Sequence, residues 1–154
     1  MKICVLYGTE TGNAEMLAED IQSALEDDHD VTCRNLADTD PAALDGETFH
    51  VVVCSTYGDG DLPASAQPFA DRLEDGAHDL SGVRFAIFGL GDAEYDETFT
   101  QGSEKLAAKF KARGATQIGA RLTHDASGDD LPEDIALPWI TDILANMSVE
   151  QEEG

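Results

Sequence analysis

The chain has 154 residues, 42% of them apolar, and its 32 acidic and nine basic side chains give a formal charge of −23. That length suits one domain around one hydrophobic core, and no apolar run is long enough to cross a bilayer. The acid excess opposes binding to nucleic acid or to an anionic membrane, because their phosphates would be repelled.

The opening MKICVLYG is too short and too strand-like for a signal peptide. A cytoplasmic, monomeric protein that is complete as it stands is expected. Lys2–Tyr7 forms a first apolar strand. After a Gly/Thr loop, Ala14, Leu17, Ala18, Ile21 and Leu25 recur at helical spacing. Asp30–Leu36 reads as a second strand, and Asp40-Pro41 begins a connection with room for one helical turn. Phe49–Ser55 (FHVVVCS) is almost wholly apolar, as in a strand covered by helices on both faces.

Phe69, Ala70 and Leu73 mark the core face of the next helix, and Val83–Phe88 gives a fourth strand. Leu106, Ala107 and Phe110 mark another helix, closed by Gly114 as its C-cap. Thr116–Leu122 (TQIGARL) reads as an uninterrupted fifth strand. Pro138 can open the last helix at its first position, with Trp139, Ile143 and Met147 on one face. The domain is placed at 1–147, and SVEQEEG (148–154) reads as a short solvated acidic tail. Cys4, Cys33 and Cys54 read as small buried thiols, since no C-x-x-C spacing is present. His29, His50, His78 and His124 show no metal-ligand spacing, and Trp139 reads as core.

Five strands alternating with helices predict a doubly wound α/β fold: a five-stranded parallel sheet, order 2-1-3-4-5, with helices on both faces. Ligands in such sheets sit beyond the carboxyl ends of the strands, where the strand order reverses. Three loops of unusual composition fall there. Gly8-Thr9-Glu10-Thr11-Gly12-Asn13-Ala14 enters a helix N-terminus and is rich in hydroxyls. It has no lysine, so it is not a P-loop, and it is not G-x-G-x-x-G. It reads either as a cradle of neutral donors for one terminal phosphate, or as a helix start capped by Thr11 or Asn13. Ser55-Thr56-Tyr57-Gly58-Asp59-Gly60-Asp61-Leu62-Pro63 and Gly89-Leu90-Gly91-Asp92-Ala93-Glu94-Tyr95 each pair glycines with an aromatic. Two such aromatics on adjacent loops suit a flat ring system between them.

GTETGNAE, STYGDGDLP and FGLGDAEY resemble the three FMN-binding loops of flavodoxins, in the right order at the right strand ends. The resemblance covers the whole chain. It is strongest to short-chain flavodoxins of the MioC type and to the FMN domains of diflavin reductases. It implies a non-covalent FMN carrier of single electrons, not an enzyme with its own catalytic residues, and no metal. Thr9, Glu10, Thr11, Gly12, Asn13 and Ala14 would wrap the phosphate, with Ser55 closing over it. Thr56, Tyr57, Gly58 and Asp59 would line one side of the isoalloxazine, with Tyr57 stacked on the inner face. Gly89, Leu90, Gly91 and Asp92 would hold the pyrimidine edge, and Tyr95 would stack on the outer face. Phe99 follows Tyr95 one residue later than in some flavodoxins. Ala14 stands where many flavodoxins carry a threonine, a change shared by the MioC-like group.

The resemblance also implies partners: a flavodoxin reductase and electron-accepting enzymes. The acids have two compatible readings. They form a docking face for basic redox partners, or they adapt the surface to high salt, as the four lysines suggest. Two other functions share the fold. An FMN enzyme reducing small molecules would need a nicotinamide site, which is not evident. A receiver domain would need an aspartate where Cys54-Ser55-Thr56 stands and a lysine on the fifth strand, and neither is present.

Overall fold

In the computed structural model, the residues described are 2–8, 13–27, 29–39, 44, 48–55, 66–75, 80, 82–91, 101–118, 122–125 and 132–153. Strands β1 (Lys2–Gly8), β2 (Asp30–Asn35), β3 (Thr48–Ser55) and β4 (Arg84–Gly91) alternate with helices α1 (Asn13–Leu25), α2 (Gln67–Asp75) and α3 (Gln101–Ala112). Two short strands, β5 (Thr116–Gln117) and β6 (Leu122–Asp125), precede α4 (Pro132–Glu153). All pairings are parallel, and the order β2-β1-β3-β4-β5, with β6 also on β4, is the expected doubly wound arrangement.

Period-two alternation divides the core. Ile3 and Val5 of β1, Phe49, Val51 and Val53 of β3, and Ala86 and Phe88 of β4 pack with the apolar stripes of α1 and α4. Leu6, Val52, Cys54, Phe85 and Ile87 point the other way and pack with α2 and α3. β3 is therefore buried on both sides, as its continuous apolar run predicts. The expected stripes of three helices are buried: Ala14, Leu17, Ala18, Ile21 and Leu25 on α1, Phe69, Ala70 and Leu73 on α2, and Leu106, Ala107 and Phe110 on α3. Phe110 stacks on Phe85 at 4.8 Å between ring centroids and tilts against Phe69 at 5.6 Å.

Gly114 ends α3 as expected. Its φ of 100° is left-handed, its N–H donates to the Lys111 carbonyl at 2.9 Å, and the Ala115 N–H donates to that of Phe110 at 3.1 Å. These two hydrogen bonds form a Schellman cap.

Several expectations are corrected. The fifth strand is not uninterrupted. Thr116 lies 32 positions after its partner Arg84, whereas Leu122 lies 34 after Phe88. Two extra residues thus enter the outer chain between β5 and β6, and the ladder breaks as at a bulge. The last helix begins at Pro132 rather than Pro138. Pro132 takes the position where a missing N–H costs least, followed by Glu133 and Asp134 to favour the helix dipole. Pro138 sits inside the helix on its exposed side, where water can reach the backbone carbonyl it leaves unpaired. The acidic segment 148–153, read as a tail, continues this helix.

A 3-10 turn at Leu36–Asp38 ends the second strand at Asn35. The Asn35 side chain caps it, accepting from the Ala37 N–H at 2.9 Å. Asp40 and Pro41 are outside the described residues. Cys54 is buried, but Cys4 and Cys33 are only partly so, and none of the three forms a disulfide. Cys33 lies on β2, an edge strand with one face in solvent. Trp139 packs on the α1–α4 core, 5.5 Å from Phe88 between ring centroids. Among the described residues, no helix is long and apolar enough to cross a membrane.

Candidate functional site

The parallel register brings the carboxyl ends of the strands into rows. Gly8, Cys54, Gly89 and Thr123 are consecutive partners across β1, β3, β4 and β6. The next row holds Ser55, Leu90 and His124, and the last pairs Gly91 with Asp125. The ends therefore form a staircase: β1 stops first, β3 runs one residue further, and β4 and β6 two. The step lies at the point where the chain leaves β1 for α1 on one face and β3 for α2 on the other. This is the switch point that the strand order predicts.

At the low end of the staircase, α1 starts at Asn13. Its first-turn N–H groups have no partners within the helix and carry the positive end of its dipole. Ala14 is fully buried there, so the first turn sits tightly on the sheet. Two glycines, Gly8 and Gly89, stand in the same row on either side of Cys54 and add no side chain at their own positions. A flat group could approach the backbone there.

Tyr7, one residue before the end of β1, packs against the α1–α4 core, and its hydroxyl donates to Glu15 Oε1 at 3.2 Å. Burial first, and then the Glu15 carboxylate, push the Tyr7 phenol above its ordinary value. It is therefore a protonated donor at neutral pH. Burial pushes the Cys54 thiol up to about 12. Burial, with Glu19 next, pushes that of Cys33 up to about 11. Neither is a reactive thiolate.

Of the predicted site residues, Asn13, Ala14, Ser55, Gly89, Leu90 and Gly91 are brought to this edge. Thr9, Glu10, Thr11, Gly12, Thr56, Tyr57, Gly58, Asp59, Asp92, Tyr95 and Phe99 lie outside the described residues. Two features escaped the sequence reading. One is the row position of Thr123, His124 and Asp125 beside Gly89–Gly91. The polar trio directly after Leu122 was the available signal. The other is the Tyr7–Glu15 bond, which joins residues eight apart and leaves no periodic trace.

A groove of about 570 Å³ lies elsewhere, between α2 and α3, lined by Leu73, Lys105, Ala108, Lys109, Ala112 and Arg113. Arg113 Nε donates to the Leu73 carbonyl across it at 2.6 Å. It shares no residue with the strand ends. Buried His50 has its Nδ1 3.2 Å from the Arg84 carbonyl oxygen, a core role. Among the described residues no three His, Cys, Asp or Glu side chains are grouped to hold a metal ion.

Comparison with known proteins agrees with this geometry. The profile of the family described as Flavodoxin matches residues 5–139, spanning β1 to the middle of α4. The chain belongs to the flavodoxin family. Among the relatives of this flavodoxin, the MioC homolog of Haemophilus influenzae is 34% identical over 151 residues, covering 96% of this chain and 99% of that protein. The NADPH-dependent diflavin oxidoreductase 1 of Aspergillus fumigatus is 34% identical over 155 residues, covering 93% of this chain but only 24% of the larger protein. The flavodoxin of Pseudomonas aeruginosa, solved as a cysteine-to-alanine mutant, superposes with a TM-score of 0.80 at 30% identity, covering 94% of this chain and 97% of that one.

Proposed function

We propose that this flavodoxin holds one FMN at the staircase of strand ends and carries electrons one at a time between redox proteins. The observation that carries the reading is the in-register edge Gly8–Cys54–Gly89, set beside the N-terminus of α1, in a member of the flavodoxin family. The donor set fits a phosphomonoester: backbone N–H groups at a dipole end, with Thr9, Thr11, Asn13 and Ser55 adding neutral side-chain donors. FMN, when bound, supplies the redox chemistry.

The protein's part is to bind and orient. Ala14 lets the first turn of α1 approach closely. Gly89, Leu90, Gly91 and Asp92 would hold the pyrimidine edge. Tyr57 and Tyr95 would cover the ring faces, with Thr56, Gly58, Asp59 and Phe99 as the remaining flavin-side residues. The Gly58-Asp59 peptide would present its backbone to the flavin, in either orientation, because glycine tolerates both. The partners are a reductase and electron-accepting enzymes with basic docking faces. They are steered by a rim that includes Asp59, Asp61, Asp92 and Glu94, and the carrier acts as a cytoplasmic monomer. The relatives that are diflavin oxidoreductases carry the matching segment within one chain beside other domains, which supports redox proteins as the partners.

Calorimetric titration of the apoprotein with FMN tests the binding. One FMN per chain is expected, and no heat and no change in flavin fluorescence would refute it. Charge reversal at Asp61 and Glu94 should slow reduction by a basic reductase more than reversal at Glu26 and Asp27, exposed at the far end of α1. Equal slowing would remove the steering role.

A further inference from the structure

We propose that Tyr7 and Glu15 are a positioning pair that fixes the phosphate-facing end of α1 against the end of β1. This inference rests on the FMN reading of the site. Tyr7 is the last residue of β1 before Gly8, and Glu15 is in the first turn of α1. Their hydrogen bond at 3.2 Å directly ties the strand to the helix across the connection that the phosphate must meet. Ala14, between Asn13 and Glu15, is fully buried, so the turn is held from below by packing and from the side by this bond.

A carboxylate in the first turn of a helix interacts favourably with the dipole but opposes a phosphate dianion at the same end. Tyr7 gives the Glu15 carboxylate a donor. The phenol can keep this role across the neutral range, because burial and Glu15 itself hold it protonated. The pair thus acts through the geometry of the helix end, with neither residue touching the ligand. Orientation set before binding lowers the ordering cost of association. The bond is long for a hydroxyl donor, whose usual range is roughly 2.5–3.0 Å, so a modest effect is expected.

The test compares FMN with riboflavin, which lacks the phosphate, on the full chain. Tyr7→Phe should weaken FMN about three- to fivefold, less than the roughly tenfold or more of a well-formed charge-assisted hydrogen bond, because this one is long. Riboflavin affinity should stay within about twofold, since the pair acts only on the phosphate end. Glu15→Ala removes the bond and the carboxylate's repulsion of the phosphate together, so it should weaken FMN less than Tyr7→Phe, and the double variant should match Glu15→Ala. Glu15→Gln keeps an acceptor for Tyr7 and should bind FMN at least as well as the parent chain. Unchanged FMN affinity in Tyr7→Phe would overturn the pairing. Equal losses for FMN and riboflavin would overturn it too, by showing a general loss of structure. If the parent chain bound no FMN, the reading of the site itself would fail, an outcome distinct from failure of the pair.

Discussion

Cys54 shows how far burial alone can set chemistry at a single position. It stands in the row of strand ends between two glycines, yet its side chain points into the α2–α3 core. Desolvation raises its thiol to about 12 because the thiolate would lie in an apolar interior. An acid whose folded value is raised stabilises the fold fully below its unfolded value, here 9.0, and that contribution is lost as pH climbs toward 12. Cys33, raised to about 11, adds to the same slope. Urea unfolding should therefore show stability falling above about pH 9. Cys54→Ala should flatten the fall while lowering stability at neutral pH. An unchanged alkaline slope in that variant would show that Cys54 is not responsible.

Element by element, the parts most legible in the sequence are those set by periodicity. The stripes of α1, α2 and α3 came through because each buries one face on a sheet already covered by Phe, Val and Ile. The cap at Gly114 was legible for a sharper reason, since a left-handed residue closing a helix is most often glycine. Gly114→Ala should lower stability by about 1–2 kcal/mol, the cost of a Cβ in that conformation. Thermal unfolding would measure it, and a neutral substitution would contradict the Schellman geometry.

What was not legible depends on non-local pairing. A two-residue change of register between β5 and β6 leaves no mark in TQIGARL beyond one glycine. It appears only when both segments are matched to β4. Pro138 reads as a helix start because its fixed φ and missing N–H suit the first helical position. It is tolerated inside α4 because its side of the helix is exposed. For the site, the glycines and hydroxyls of the three loops named the chemistry. The stagger of the strand ends and the Tyr7–Glu15 bond needed the fold.

Across the whole molecule, the charge of −23 dominates. Net charge this far from zero destabilises a compact chain by self-repulsion, and added salt screens it. If the acids adapt the surface to salt, the midpoint of unfolding should rise steeply between dilute buffer and molar salt. Equal stability in both would leave partner docking as their role. The same field opposes any further negative charge gained by a group at the strand ends.

That coupling bears on the central claim, one FMN carrying single electrons. The most direct measurement is an anaerobic reductive titration of the FMN-loaded protein, followed by its visible spectrum. The account predicts two resolved one-electron stages, the second entering at a clearly lower potential than the first. Uptake of both electrons in one unresolved stage, or a colourless protein that takes up no FMN, would contradict it.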